Sequence, residues 1–467
     1  MRHNKNIQMV KNKSQLFNNL TNSTSNIAIT VNVNNTKEKE TPSNENEKAD
    51  FKNLIELYNS KKFDKLLKEA LKFTKNYPNN FEGLNSLALA YKKLRNYSKA
   101  IEVYKEILRH NPSKDFFYQN AANAYFDIGD HVNSEKLHNK ALELNPKNIW
   151  SLNSLGLIYS NKGDDVNAIN FYLKSLEINQ NDSETHYNLA TSYRKIEQFS
   201  NAASHYRKST NVKSKDFLLE CLYLNPLAGH EQFYSLLDDL KDSDRLWPLT
   251  ASISAHASKR FSKNDPYPFC RKPKDFIQKY NLHDENLLDD DLITRFLNDV
   301  ISSNITKRGQ SLLKNGEQTS GNLFNLDYDS VREIKKIVEK KIEVYRMHYS
   351  KKEDGFIKNW PNRYNIYAWL IFMNKSGSLS AHIHKEGWLS SSIYLKMPKK
   401  LEGNEGAIQF SLDGANYPNN ENVTFPKETC LLKKGDMVMF PSSLFHSTVP
   451  FISEEQRITL AFDIIPE

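Results

Sequence analysis

The sequence has few cysteines and no long apolar segment, and both absences narrow the class of protein. Its three cysteines, Cys221, Cys270 and Cys430, lie far apart in a chain of 467 residues. They form neither a disulfide framework nor a Cys-x-x-Cys metal site, which is typical of a reducing compartment. The N-terminus lacks the apolar core of a secretory signal, and no run of about 18 apolar residues could cross a bilayer. The sequence therefore predicts a soluble, cytoplasmic protein with no membrane partner.

Apolar residues are also scarce, and the positive charge is not concentrated in one place. Hydrophobic residues make up 39% of the chain, which is low for a protein that is compact throughout. Residues 1–48 are rich in Asn, Thr, Ser, Lys and Glu, and we expect this tail to be disordered because it cannot bury enough apolar surface. The net charge of +8 comes from lysines spread along the chain rather than from a basic stripe, which disfavours nucleic-acid binding.

A repeat of 34 residues runs through positions 49–213. Pro78, Pro112 and Pro146 follow one another at this interval, and Gln180 occupies the next equivalent position. Self-similarity at a fixed period of this length marks a solenoid of helical units. Proline ends the second helix of each unit, because it has no backbone N–H to continue the hydrogen-bond ladder.

Small and aromatic residues keep the same register. Three sets of positions recur at this interval: Ala100, Ser134, Ala168 and Ala202; Tyr91, Tyr125, Tyr159 and Tyr193; and Tyr104, His138, Tyr172 and Tyr206. The pattern resembles the tetratricopeptide repeat family over roughly 160 residues, with a divergent first unit at 49–80, where Leu66 replaces the small residue. Gly156 lies where two helices must approach closely. The resemblance implies an α-solenoid whose concave groove binds a protein or peptide.

The rest of the chain changes from helical to strand-like patterns. Apolar spacing predicts helices through 214–304, and we interpret this region as a helical bridge that caps the solenoid and packs on the next domain. Residues 305–467 contain one long helix and then short aromatic and β-branched segments separated by Gly, Asn and Pro. This order predicts a jelly roll. The expected fold is therefore an α+β multidomain protein, an α-solenoid followed by a double-stranded β-helix.

Three histidines in the C-terminal region have the spacing of a metal site. His382 and His384 flank a single residue, so in a strand both rings point to the same face. His446 follows the short apolar strand predicted over 436–441. The rings of all three could converge on one metal ion.

Two residues of the last predicted strand, 457–465, could bind a carboxylate. Alternation of polar and apolar residues places Arg457 and Thr459 on one face of that strand. Arginine binds carboxylates through two parallel hydrogen bonds, and a neighbouring hydroxyl would add a third.

The combined motifs resemble the iron(II)/2-oxoglutarate oxygenases over about 150 residues. The segments that carry the resemblance are HIHKEGWLSSSIYLKMP, from His382, GDMVMFPSSLFHSTVP, which contains His446, and RITLAF, from Arg457. The resemblance implies Fe(II) held by His382, His384 and His446. It also implies 2-oxoglutarate bound by Arg457 and Thr459, with help from Tyr394.

The chain departs from the best-characterised oxygenases at His384, where they have a carboxylate. Three interpretations remain open. All three histidines bind iron; or His384 only supports the two others, as in the aspartyl/asparaginyl β-hydroxylases; or Asp463 or Glu386 supplies a carboxylate from elsewhere. Face parity favours the first.

Two classes of function follow from these features. The first is an oxygenase that hydroxylates a protein or peptide recruited by the repeats. The second is a repeat scaffold whose β domain is a silent or sensory metal module. Three histidines and water also suit a zinc hydrolase, but such an enzyme has no need for a carboxylate-binding Arg457 and Thr459.

Overall fold

The chain divides into two compact parts that are best described separately. The computed structural model describes residues 45–110, 113–225, 227, 229–243, 246–399, 401–419 and 422–467. Within them, residues 45–196 form one part, the repeat unit, and residues 197–467 form the other, the C-terminal unit. None of the helices described reaches the length and apolar character that crossing a membrane would require. The predicted tail, apart from its last four residues, and Pro112 lie outside the described residues.

Antiparallel helix pairs build the repeat unit. Its helices are α1 (Glu45–Asn59), α2 (Phe63–Asn76), α3 (Phe81–Lys93), α4 (Tyr97–His110), α5 (Asp115–Asp127), α6 (His131–Leu144), α7 (Ile149–Lys162), α8 (Asp165–Ile178) and α9 (Ser183–Lys195). Side chains of Asn80, Asn148 and Asp182 cap the N-termini of α3, α7 and α9 by accepting a backbone N–H three residues on. These caps also recur in the 34-residue register, and Lys114 occupies the position between the first two without a capping bond.

The packing confirms the register found in the sequence. Fully buried side chains occupy the small-residue positions, namely Leu66, Ala100, Ser134, Ala168 and Ala202. The rings in the set that begins at Tyr104 are buried as well. The tyrosines in the set that begins at Tyr91 are only half-buried. Gly156 lies against the ring of Tyr172, where an added Cβ would meet Cε1 at 2.5 Å. Close packing of α7 on α8 therefore depends on the missing side chain.

The first helix begins earlier than the sequence analysis predicts. Residues 45–48 were expected to be disordered, but α1 starts at Glu45. Glu45 and Glu47 stabilise the first turn, because negative charge is favourable at a helix N-terminus. Glu47 also accepts a hydrogen bond of 2.7 Å from the Asn80 side chain. The prediction was wrong here because a polar composition hid a helix start.

In its described residues, the C-terminal unit combines seven helices with ten strands. The helices are α10 (Phe199–Lys208), α11 (Ser214–Leu224), α12 (His230–Lys241), α13 (Pro248–Phe261), α14 (Asp290–Ser302), α15 (Asp329–His348) and α16 (Gly355–Lys358), with 3₁₀ turns at Pro273–Phe276 and Leu323–Asn325. Helix α10 comes from the predicted repeat region, so the compact unit begins before the predicted bridge. Helix α11 packs against α10, α12 and α13.

The strands form the two sheets of a jelly roll, as predicted. They are β1 (Gln278–Asn281), β2 (Lys307–Arg308), β3 (Leu313–Thr319), β4 (Tyr364–His382), β5 (Leu389–Lys396), β6 (Ile408–Ser411), β7 (Glu428–Cys430), β8 (Asp436–Pro441), β9 (Phe445–Thr448) and β10 (Arg457–Pro466). Hydrogen bonds connect them in the order β1-β8-β5-β10-β4-β9-β6-β7, with β3 beside β4 and β2 beside β3. We call β1-β8-β5-β10-β4-β3-β2 the larger sheet and β4-β9-β6-β7 the smaller sheet. The long strand β4 belongs to both sheets and joins them.

The region predicted as a purely helical bridge also contains a strand. Residues Gln278–Asn281 form β1, which pairs with β8 from Gln278 opposite Met439 to Asn281 opposite Asp436. All six residues of β8 are buried, so its free edge requires a partner. A four-residue segment is too short for its own sequence to predict a strand.

We expect Gly156→Ala to destabilise the repeat unit. The new Cβ would overlap the Tyr172 ring, and overpacking costs about 1–3 kcal/mol, of which the gain in helix propensity offsets only part. Urea unfolding followed by circular dichroism should show a lower midpoint for the helical transition. Gly229→Ala is the control, because no described atom lies within 4 Å of a Cβ built there. An unchanged midpoint for Gly156→Ala would contradict the tight contact.

Candidate metal and cosubstrate site

Two of the three histidines lie on neighbouring strands at the end of the jelly roll. His382 is the last residue of β4, and the register places it directly opposite His446 of β9. The centroids of the two rings are 4.2 Å apart. A shift in the β4–β9 register between Leu379 and His382 turns the end of β4 toward its partner.

His384 lies just beyond β4 and completes the group. Its backbone N–H donates to the carbonyl of Ser442 at 3.1 Å, which ties this turn to the end of β8. Its Nε2 atom is 3.1 Å from Nε2 of His382. One nitrogen from each of the three histidines lies within 4.8 Å of the others, and the structure thus brings together all three rings that the sequence singled out.

Each of the three rings has its Nδ1 atom next to a hydrogen-bond acceptor. Nδ1 of His382 is 2.8 Å from the carbonyl oxygen of Ser380, and Nδ1 of His446 is 3.3 Å from that of Leu444. Nδ1 of His384 is 2.6 and 2.7 Å from the two carboxylate oxygens of Asp463. These contacts assign the proton to Nδ1 in each ring and leave the lone pair on Nε2, the arrangement found in metal-binding histidines.

A buried polar network fixes the carboxylate that holds His384. Asp463 is 4% exposed and accepts a hydrogen bond of 2.7 Å from the hydroxyl of Ser390. Ser390 in turn lies 2.7 Å from the hydroxyl of Ser442. The sequence suggested Asp463 as a carboxylate ligand, but Ser442 carried no signal. In the structure Asp463 contacts Nδ1 of His384, while Nε2 of the same ring is next to His382.

The other carboxylate considered from the sequence points elsewhere. Glu386 forms an ion pair with Lys213, with 2.5 Å between Oε1 and Nζ. Among the described residues, the group that could hold a metal comprises His382, His384 and His446, without Glu386 or Asp463.

Burial keeps two of the rings in the neutral form that can bind a metal. Desolvation lowers the pKa of His382 to about 3, and the nearby charge of His384 adds to the effect. Desolvation likewise lowers the pKa of His446 well below its usual range, with His382 and His384 contributing. Neutral imidazoles need lose no proton before they coordinate a cation.

Residues from the helical bridge hold the turn that follows His384. Lys385 forms an ion pair of 2.5 Å with the buried carboxylate of Glu220 on α11. Its backbone carbonyl accepts a hydrogen bond of 2.5 Å from the indole N–H of Trp247. The sequence gave no signal for these contacts, because more than 130 residues separate the partners along the chain. The bridge thus contributes directly to the placement of His384.

Arg457, Thr459 and Tyr394 lie together on the inner face of the larger sheet. Thr459 is opposite Tyr394 in the β10–β5 register. The guanidinium carbon of Arg457 lies 4.8 Å from the centroid of the Tyr394 ring, and the Nη1 atom is 3.2 Å from the sulfur of Met373. All three side chains are at most 3% exposed.

Two polar atoms in this group are buried without a partner. Nε of Arg457 and Oγ1 of Thr459 have no hydrogen-bond partner in the described part of the chain. Burial lowers the pKa of Arg457, although the Tyr394 side chain opposes that shift. Buried polar groups are usually paired, because an unpaired one costs about 1–3 kcal/mol. An oxyanion such as the far carboxylate of 2-oxoglutarate would satisfy both atoms, so the residues fit this cosubstrate.

The spacing of residues along β10 sets the distance between the histidine group and the Arg457–Thr459 group. Asp463, behind His384, is four residues from Thr459 on the same strand, which corresponds to about 13 Å. Both residues face inward, since alternate residues of a strand share a face.

Models of known families match the repeats and the β domain of the chain. Models of the tetratricopeptide repeat match residues 81–114, 117–148, 139–170 and 171–203. These ranges cover most of the helix pairs described above. No curated protein matches the chain at a significant level.

Several solved structures are similar to part of the chain. A MamA protein is 22% identical and covers 37% of this chain and 94% of its own, with a TM-score of 0.32. The pilF protein of Pseudomonas aeruginosa is 16% identical and covers 42% of this chain and 91% of its own, with a TM-score of 0.39. A tetratricopeptide repeat protein of Thermus thermophilus is 20% identical and covers 38% of this chain and 98% of its own, with a TM-score of 0.33. With TM-scores below 0.5, these likenesses assign no function.

The β domain matches a second family. Residues 367–463 match the model described as "Putative 2OG-Fe(II) oxygenase", a range that begins on β4, ends at Asp463 and includes the three histidines. The chain therefore carries tetratricopeptide repeats followed by a C-terminal domain of the 2OG-Fe(II) oxygenase kind.

Proposed function

We propose that the C-terminal unit is an Fe(II)- and 2-oxoglutarate-dependent oxygenase that hydroxylates a protein or peptide. The observation that carries the proposal is the convergence of one ring nitrogen from each of the three histidines, each on a ring whose Nδ1 contacts an acceptor. In this proposal His382, His384 and His446 are the iron ligands. His384 takes the place that a carboxylate has in the best-characterised members.

The carboxylate of Asp463 partly replaces the missing negative ligand. Three neutral imidazoles leave the charge of a divalent ion uncompensated, and Asp463 supplies one negative charge on the far side of His384. A carboxylate that accepts from Nδ1–H also makes Nε2 a stronger donor to the metal. Asp463 would therefore both orient His384 and balance the charge.

The unpaired atoms of Arg457 and Thr459 favour an iron oxygenase over a zinc hydrolase with the same ligands. They would bind the far carboxylate of 2-oxoglutarate, while the Tyr394 ring supports the guanidinium from one side. When bound, iron and 2-oxoglutarate supply the chemistry: dioxygen converts the keto acid to succinate and carbon dioxide and places one oxygen atom on a substrate C–H bond. The protein contributes orientation and exclusion of water.

The repeats support the choice of substrate class. Arrays of this kind bind proteins or peptides in their concave groove. We propose that the repeat unit recruits the protein that the C-terminal unit hydroxylates, and that the reaction takes place in the cytoplasm, where cysteines such as Cys430 remain reduced.

His382→Ala should abolish tight binding of Fe(II). Losing a ligand should weaken the affinity by more than the 10–100-fold that loss of an outer partner typically costs. Anaerobic titration with Fe(II) measures the effect, and His348→Ala is the control because that ring is exposed on α15. Equal affinity in His382→Ala and the parent protein would refute the metal site. An apo protein indifferent to iron would instead support a scaffold function.

Asp463→Asn should weaken Fe(II) binding by about 10–100-fold, because it keeps the shape of the side chain but removes the charge behind His384. Glu386→Gln makes the same charge change two residues from His384, and we expect it to leave the affinity unchanged. If Glu386→Gln weakened binding and Asp463→Asn did not, Glu386 would be the carboxylate that serves the metal.

Arg457→Met should weaken 2-oxoglutarate binding by about 10–100-fold, the value of a charge-assisted hydrogen bond. Thr459→Val, which removes only the hydroxyl, should have a smaller effect in the same direction. Neither variant should change Fe(II) affinity. Anaerobic calorimetry gives both affinities, and succinate formed after addition of oxygen reports turnover. Unchanged 2-oxoglutarate affinity in Arg457→Met would contradict the proposed cosubstrate pocket.

A further inference from the structure

A row of side chains crosses the inner face of the larger sheet and ends at an arginine. Thr459 of β10 is opposite Ile371 of β4, Ile371 is opposite Gln318 of β3, and Gln318 is opposite Arg308 of β2. Residues directly opposite one another in neighbouring strands project on the same face. Arg308 therefore shares the inner face with Thr459, three strands away, at about 14 Å.

Arg308 is a cation without a counter-charge among the described residues. Its Nε atom is buried and unpaired, and its guanidinium forms no ion pair or hydrogen bond with any residue that the structure describes. In the C-terminal unit, the only other arginine in the described ranges with a buried, unpaired Nε is Arg457. The two arginines lie on the same face, on opposite sides of β4.

The surroundings of Arg308 connect it to the metal ligands. Tyr367 lies on the same face of β4 as Ile371, four residues away along the strand. Burial raises the pKa of Tyr367, and the positive charge of Arg308 opposes that shift. The Tyr367 ring lies 6.0 Å from that of Trp369, which lies 5.6 Å from the ring of His384. Tyr367 is also opposite Asp463 in the β4–β10 register.

We propose that Arg308 binds a carboxylate of the substrate, with Tyr367 and Trp369 forming the wall between it and the metal. This inference rests on the proposed function, because it places the substrate beside the three histidines. A half-buried guanidinium without a partner favours an oxyanion, as Arg457 does for the cosubstrate. Arg308 then selects substrates with an acidic group near the reacting carbon, such as an acidic peptide segment.

One short dicarboxylate cannot use both arginines. The interval of about 14 Å between the strands that carry them is filled by Ile371 and Gln318, and Tyr367 and Trp369 line the same face nearer to His384. Arg308 therefore serves a second anion. The net charge of +8 would also help to attract an acidic partner.

The chain offers a matched control in the neighbouring residue. Lys307 precedes Arg308 on β2 and projects to the opposite face, where its ammonium lies 4.1 Å from the centroid of the Phe372 ring and 3.0 Å from Glu317. Lys307→Gln and Arg308→Gln remove the same charge from the same strand. Only the second should affect a ligand on the inner face.

The test uses short labelled peptides of alternating Glu and Ser, Gln and Ser, or Lys and Ser. Fluorescence anisotropy measures their binding to the full chain, both as apo protein and with Fe(II) and 2-oxoglutarate under anaerobic conditions. We expect the Glu peptide to bind at least about tenfold more tightly than the Gln peptide, the value of one charge-assisted bond. Arg308→Gln should remove this preference, Arg308→Lys should restore part of it, and Lys307→Gln should leave it intact.

Three outcomes would overturn the inference: equal binding of the Glu and Gln peptides to the parent protein, an equal loss in Lys307→Gln and Arg308→Gln, or a loss of 2-oxoglutarate affinity in Arg308→Gln. Competition with N-acetylglutamate shows whether a small carboxylic acid is enough for binding or whether the carboxylate must belong to a longer peptide. Either result supports the inference. Fe(II) and 2-oxoglutarate affinities of the same samples show whether the proposed function fails independently.

Discussion

The contact between the carboxylate of Asp463 and Nδ1 of His384 is the interaction on which the site depends. His382 and His446 lie on paired strands, where backbone carbonyls fix their rings. His384 lies beyond the end of β4, where the sheet no longer determines its position. The carboxylate of Asp463 on the neighbouring strand β10, which accepts a hydrogen bond from Ser390, fixes the orientation of the His384 ring instead.

Strand β10 therefore organises both halves of the chemistry. It pairs with β4 on one side and β5 on the other, so its inner face is fixed across its length. One end carries Asp463, which contacts His384, and the other carries Arg457 and Thr459. In the proposed site, the spacing between the metal ligands and the cosubstrate-binding residues would be set by the rise of this single extended strand.

Patterns with a fixed period or a local geometric rule could be predicted from the sequence. The 34-residue register placed Ala100 and its equivalents, and alternation in a strand placed Arg457 and Thr459 on one face. The parity of His382 and His384 predicted convergent rings, and the structure brings their Nε2 atoms to 3.1 Å. The reason differs, because β4 ends at His382 and the His384 ring is held by Asp463. Each of these inferences needed only neighbours in the chain or a constant interval.

Features that depend on distant partners could not be predicted. Nothing local shows that Asp463 contacts His384, 79 positions earlier, or that Trp247 donates to the carbonyl of Lys385. Strand β1 exists because the buried strand β8 needs an edge partner, not because of its own four residues. The helix start at Glu45 was missed since composition alone does not reveal a favourable N-terminus.

The division of the chain at residue 197 has a consequence for substitutions in the repeats. The helices that hold the turn after His384, and the strand that covers β8, all belong to the C-terminal unit, although they precede the jelly roll in sequence. These contacts to that turn and to β8 come from residues after 197, so substitutions confined to the repeat unit would leave those contacts in place. The boundary between the two compact units falls within the predicted repeat region rather than at the start of the β domain.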